Sequence, residues 1–191
     1  MITYIRRSVV LALFCLVFFG LLYGLAGTGV AQLAFKHQAD GSITANGSTL
    51  IGQNWTSPKF FHGRPDDAGP YAGTGDNPLV ANGKAGESSA TNLGPRSAVL
   101  KADTEALIAY WHKMGVNPTE DLVTTSGSGL DPDITPADAY AELPMVSKAT
   151  GLSAKVLDAL IARETNTAEL GFLGSDYIDV LQLNTALAKL E

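Results

Sequence analysis

The stretch Leu122-Val-Thr-Thr-Ser-Gly-Ser-Gly-Leu-Asp-Pro-Asp-Ile-Thr-Pro136 carries the densest local information in the chain. An apolar Leu-Val pair gives way to alternating hydroxyls and glycines, then to two aspartates and two prolines. Leu122 to Thr125 reads as a strand. Glycine opens backbone angles that other residues reach only at a cost, and closely spaced Ser and Thr can hydrogen-bond the backbone of their own turn or of a partner. Thr135 before Pro136 reads as a helix start, with the threonine as cap and the proline in the first helical position. The segment is therefore a shaped polar loop joining a strand to a helix. Asp131 and Asp133 lack the spacing of a calcium-binding helix–loop–helix, so turn capping is their simpler role.

Working outward, the start of the chain sets its compartment. Arg6-Arg7 is followed by an uncharged run from Ser8 that ends only at Lys36. From Val9 to Ala26 a helix rising ~1.5 Å per residue covers about 27 Å. With Gly27 to Ala31 added it matches a bilayer core about 30 Å thick. Gly29-Val30-Ala31 also fits a signal-peptidase site, but a signal h-region runs about 7–15 residues and this run is longer. An uncleaved anchor is the preferred reading, and an exported hydrolase or binding protein released by cleavage is the alternative. The arginine pair predicts a cytoplasmic N-terminus and an exported remainder, periplasmic or extracellular.

The formal net charge is −6, and setting aside Arg6 and Arg7 leaves the rest more acidic still, which argues against nucleic acid as a partner. The single cysteine, Cys15, lies inside the apolar run, so no disulfide is available to the exported part. The reading divides the chain into a cytoplasmic segment 1–7, an anchor 8–31, a linker 32–42 and one soluble domain 43–191. That domain is long enough for its own core. It is loop-rich over 43–96 and helical over 97–191, an α+β fold that is mostly helical with a small sheet.

Ile43 and Leu50-Ile51 are placed in short strands, and residues 68–90, with their Gly-Pro and Asn-Gly breakers, in a long surface loop. Helices are expected from Ser97 to Met114, stopped by Gly115, and from Pro136 to Ala149, strained or broken near Pro144. Another runs from Ser153 to Thr165, with Val156, Leu157, Leu160 and Ile161 turned inward. Tyr177 to Leu190 closes the domain on Ile178, Val180, Leu181, Leu183 and Leu187.

No catalytic constellation emerges. His37, His62 and His112 have no metal-ligand spacing and read as surface or packing residues. Ser126 and Ser128 sit among glycines without the context of a nucleophile elbow. No phosphate-binding glycine loop is present, nor an Asp-Lys-Thr-Gly segment of the kind a P-type pump phosphorylates. Any ATP hydrolysis belongs to another chain.

Five segments in order carry a resemblance. They are Gly47-Ser-Thr-Leu-Ile-Gly-Gln53, Pro58-Lys-Phe-Phe-His-Gly-Arg-Pro65, Asn92-Leu-Gly-Pro95, Leu122 to Pro132, and Leu170-Gly-Phe-Leu-Gly174 with Val180-Leu-Gln-Leu-Asn184. Behind one N-terminal anchor, this order closely resembles the C subunit of the Kdp potassium-transporting ATPase. The resemblance implies a non-hydrolysing subunit of a high-affinity, ATP-driven potassium-uptake complex in the plasma (inner) membrane. Its implied partners are a channel-like potassium-binding subunit, a P-type ATPase subunit and a small membrane peptide. It also implies a need for this subunit in assembly, and a catalytic-chaperone effect that raises ATP affinity in the ATPase subunit. ATP binding enters by resemblance alone, and no cofactor or metal is assigned to these residues. Glu142, Met145 and Thr150 stand where the family often has Gln, Arg and Arg, and Ser175-Asp-Tyr177 where Glu-Pro-Arg is common.

Six residues are candidates for partner contact or for structural work within these motifs: Gln53, Arg64, Asn92, Ser126, Ser128 and Asp131. Arg64 suits a charge-assisted bond to a partner or an internal carboxylate. Gln53 and Asn92 suit either a partner's backbone or their own turns. Ser126 and Ser128 suit contact with a potassium entrance or a shaped turn. Trp55, Phe60 and Phe61 are interface anchors or core.

Overall fold

A computed structural model describes residues 2–65, 88 and 90–190; most of the 68–90 loop expected from the sequence lies outside them. The chain divides into two units, Met1–Ile43 and Thr44–Glu191. The first is dominated by α1, Ile2–Ala34, 33 residues long, with a mean hydropathy of 2.7 in its most apolar window and none of that window buried. Its backbone passes through a π-helical stretch at Leu16–Leu22. By length and composition this helix can cross a membrane. A short helix α2, Lys36–Ala39, follows, with Lys36 Nζ 3.1 Å from Asp40 Oδ2.

The second unit holds the hydrophobic core. Helix α3, Ala98–Lys113, starts on Ser97, whose hydroxyl accepts from Leu100 N–H, and sends Leu107 and Trp111 inward. Gly115 follows it at φ 79°, the left-handed angle that ends helices without strain in glycine. Leu122 to Thr125 is not a strand: Asp121–Val123 form a single 3₁₀ turn. The Trp111 indole N–H donates to Leu122 O at 2.8 Å, and Leu122 and Val123 are buried. The apolar pair thus packs under α3 instead of pairing along an edge.

Asp133–Ile134 (β3) lie antiparallel to Ile178–Asp179 (β4), in register Asp133↔Asp179 and Ile134↔Ile178. Ile43–Thr44 (β1) and Gly47–Ser48 (β2) form a second two-stranded ladder. Leu50 and Ile51 lie outside it and exposed, so the second strand sits earlier than their apolar side chains suggest.

Helix α4, Pro136–Thr150, runs unbroken through Pro144. Proline removes one ladder bond, but Ala139, Glu142, Met145 and Val146 bury one face of the helix across that gap. At its start Thr135 Oγ1 accepts from Asp138 N–H while Asp138 Oδ2 accepts from Thr135 N–H at 2.7 Å, a reciprocal capping box. Helix α5, Ala154–Glu164, is capped by Ser153 and buries Leu157, Leu160 and Ile161. Val156 stays exposed, one step off the inward stripe. Helix α6, Val180–Leu187, is capped by Asp179, which accepts from Gln182 N–H at 2.8 Å. Leu183 and Leu187 bring it into the core with Trp111, Leu122 and Ile161. Phe61 joins that core fully buried, while Trp55 and Phe60, 4.9 Å apart, pack against it. These aromatics are core residues. Helices with two small ladders make an α+β fold, as the sequence predicts.

Candidate functional site

The 121–136 loop is held from below by one arginine. Arg64 Nη2 lies 3.3 Å from Asp121 Oδ1 and donates to Thr125 O at 3.2 Å and to Thr124 O at 3.4 Å. Its Nη1 lies 3.7 Å from Asp131 Oδ2. The planar fork reaches both ends of the loop at once, a geometry an ammonium cannot copy. Within the loop, Ser126 and Ser128 hydroxyls are 3.1 Å apart; Ser126 Oγ accepts from Gly129 N–H at 3.0 Å and Ser128 Oγ from Leu130 N–H at 3.1 Å. Ser126 is buried. Both hydroxyls thus shape the turn, and among the described residues no general base joins their hydrogen bonds. Asp131 Oδ1 accepts from Asp133 N–H at 3.1 Å.

Gln53 belongs to a neighbouring turn. Its Nε2 donates to Ile51 O at 2.9 Å and Ser48 O at 3.3 Å. That turn is fastened to the loop where Gly52 N–H donates to Leu130 O at 2.8 Å. A Cβ on Gly52 would sit 2.8 Å from Asp131 O, so only glycine allows this approach. Asn92 stands apart: it adopts φ 52° and donates to Ala90 O at 3.0 Å. The structure therefore gathers Arg64, Ser126, Ser128 and Asp131, with Gln53 one turn away, and leaves Asn92 to its own loop.

Arg64→Ala is expected to lower stability by about 1–3 kcal/mol, and Arg64→Lys to recover less than half of that. Amide exchange at Thr124 to Leu130 should quicken in both variants. Unchanged exchange there would show that the fork does not hold the loop.

The loop's far end is electrostatically loaded. Burial, then Asp131, then Asp179 push the Asp133 carboxyl up to about 6. Because the folded value exceeds the unfolded one, Asp133 favours folding most below the ordinary carboxylate range, and that contribution is lost as pH rises through about 6. Asp133→Asn should then stabilise the domain at pH 7 and flatten this part of the pH–stability curve. After screening at this partly exposed site the effect is on the order of 1 kcal/mol. Denaturant midpoints at two pH values measure it, and an identical pH slope in parent and variant would count against it.

Three polar contacts went unread in the sequence, two of them buried and one half-buried. His62 and Glu142 are both fully buried; His62 Nδ1 lies 2.7 Å from Glu142 Oε2, and His62 N–H donates to the same carboxylate at 3.1 and 3.2 Å. Burial pushes the Glu142 carboxyl up, while the His62 ring and amide draw it back down. The imidazole meets Trp111 edge-on at 5.2 Å. Asn184 clamps the adjacent residue, accepting from Phe61 N–H at 2.9 Å and donating to Phe61 O at 2.8 Å. Asp138, besides its capping role, accepts from the Thr119 hydroxyl. Thr135-x-x-Asp138 before an apolar run is a legible capping signature; the other two join residues too distant for any local rule.

Among the described residues no group of three or more His, Cys, Asp or Glu is arranged to hold a metal ion. The Ser126, Ser128 and Asp131 side chains of the loop make internal bonds, which suits a rigid surface better than a reaction centre.

Known proteins are similar to this chain over nearly its whole length. The family described as KdpC, K+-transporting ATPase, c chain, matches residues 5–189. The potassium-transporting ATPase KdpC subunit of Caulobacter vibrioides is 43% identical over 197 residues, covering 98% of this chain and 93% of its own. That of Methylobacterium nodulans is 40% identical, covering 100% and 98%. The Bacillus cereus subunit is 41% identical, covering 92% and 90%. With such coverage at both ends, the chain belongs to the KdpC family, the c chain of the K+-transporting ATPase.

Proposed function

We propose that this chain is an accessory, non-hydrolysing subunit of a high-affinity, ATP-driven potassium-uptake complex. The observation that carries the reading is the family match over residues 5–189, in a chain with neither a phosphate loop nor an Asp-Lys-Thr-Gly segment. The transport partners are a channel-like potassium-binding subunit, a P-type ATPase subunit and a small membrane peptide. Helix α1 anchors the subunit, with Arg6 and Arg7 in the cytoplasm and the 44–191 unit on the outer face. In that topology the outer domain faces a compartment poor in ATP, so the reading rests on subunit contact. The subunit supports assembly and acts as a catalytic chaperone, raising ATP affinity in the ATPase subunit through contact between proteins.

The test is growth and potassium uptake at low potassium in cells lacking their own c chain and complemented with this one. Restored uptake supports the reading; expression and assembly without uptake would sink it. N-terminal sequencing of the membrane-derived protein should find the chain intact, whereas a start at Gln32 would indicate a released domain.

A further inference from the structure

Among the described residues, nothing in its own domain covers the apolar tip of the 166–177 hairpin. Asn166 and Tyr177 exchange backbone bonds at 2.8 and 3.0 Å, and Glu169 and Leu173 at 3.0 and 2.9 Å. Gly171 N–H donates to Ala168 O at 3.0 Å, and Asp176 Oδ1 accepts from Ala168 N–H at 2.9 Å. The projection is thus internally bonded and preformed. At its end Leu170 is 81% exposed, Phe172 74% and Leu173 50%. Leu170 also holds φ 54°, a left-handed angle that is uncommon for a branched side chain and worth attention as a functional sign. Clustered large apolar groups on a rigid projection are characteristic of an interface anchor.

The charge around the tip selects the occupant. Between Arg163 and Lys189 there is no Lys or Arg at all, while Glu169 and Asp176 flank the tip. At its base an open cleft is lined by Asp133, Asn166, Glu169 and Tyr177, together with Asp131, whose carboxylate already faces Arg64. An anionic lipid surface would repel this collar, and a second copy would set acid against acid. A protein socket that is apolar at its floor and ringed by Lys or Arg complements it.

We infer that the 166–177 hairpin is a docking plug that inserts Leu170 and Phe172 into an apolar, basic-rimmed socket on another subunit of the potassium-transporting ATPase. This rests on the accessory-subunit reading and names the contact element within it.

The test uses the full chain expressed with its companion subunits. Leu170→Gly relieves the left-handed angle while deleting the apolar group, and Phe172→Ser deletes an exposed ring, so neither variant threatens folding. Together they should reduce recovery of the companion subunits from detergent extracts at least ~10-fold, and Glu169→Lys should weaken recovery most at low salt. A photocrosslinking amino acid at position 172, used in native membranes, should capture a membrane-spanning subunit of the complex. Undiminished recovery with the double variant, beside normal recovery of the parent, overturns the plug and leaves the subunit reading standing. Capture only of lipid or of a second copy also overturns it. A parent chain that recovers no companion subunit defeats both.

Discussion

Glu142→Ala is expected to destabilise the folded domain by about 3–5 kcal/mol, the range seen when one partner of a buried pair is removed. The loss exceeds that of a surface ion pair because three bonds converge on this carboxylate. His62 loses the acceptor for its main-chain N–H and the partner of its ring Nδ1 in the same substitution. Both are fully buried, and water has no route to replace the missing atoms without opening the core. Glu142→Gln should cost only ~1 kcal/mol. Its amide oxygen can accept from His62 N–H while its NH₂ donates to a ring whose proton has moved to Nε2. Urea unfolding of the detergent-solubilised chain measures both variants, and equal midpoints for Glu142→Ala and the parent would refute the account.

The second large effect is expected at Asn184. Asn184→Ala leaves the Phe61 N–H and C=O both buried and unpaired, at about 1–3 kcal/mol for each group. Asn184→Asp separates hydrogen bonding from simple packing. A carboxylate still accepts from Phe61 N–H but faces the Phe61 carbonyl with no hydrogen to offer. It should be at least as damaging as alanine at neutral pH and recover on acidification, once a protonated carboxyl can donate. A pH-independent deficit would point to lost shape instead of lost donation.

These two sites show where reading a sequence stops. The cap at Thr135 was legible because its rule spans about four residues and involves only neighbouring backbone. The inward stripe of α5 was legible for the same reason, save for Val156 at its margin. Leu122-Val123 misled because a short apolar run looks the same whether it pairs as a strand or turns beneath a helix. The indole of Trp111 decided that case. Pro144 misled because a lost ladder bond is local and the packing that outweighs it is not. His62 with Glu142, and Phe61 with Asn184, lie 80 and 123 residues apart, beyond any periodicity. The family was legible because its motifs recur in order; what those motifs do internally was not, since Arg64 could equally have faced a partner.

The Phe61–Asn184 clamp also sets a schedule. A ribosome delivers Phe61 and the Gly- and Asn-rich first half of the domain long before α6 exists. Until Asn184 arrives, the Phe61 backbone can bond only to water, and the core lacks Leu183 and Leu187. Contacts at such separation must close a long loop before they return any energy, which slows folding and concentrates it in one late step. The segment around Phe61 is therefore open to proteases throughout synthesis and becomes resistant only when the last helix docks.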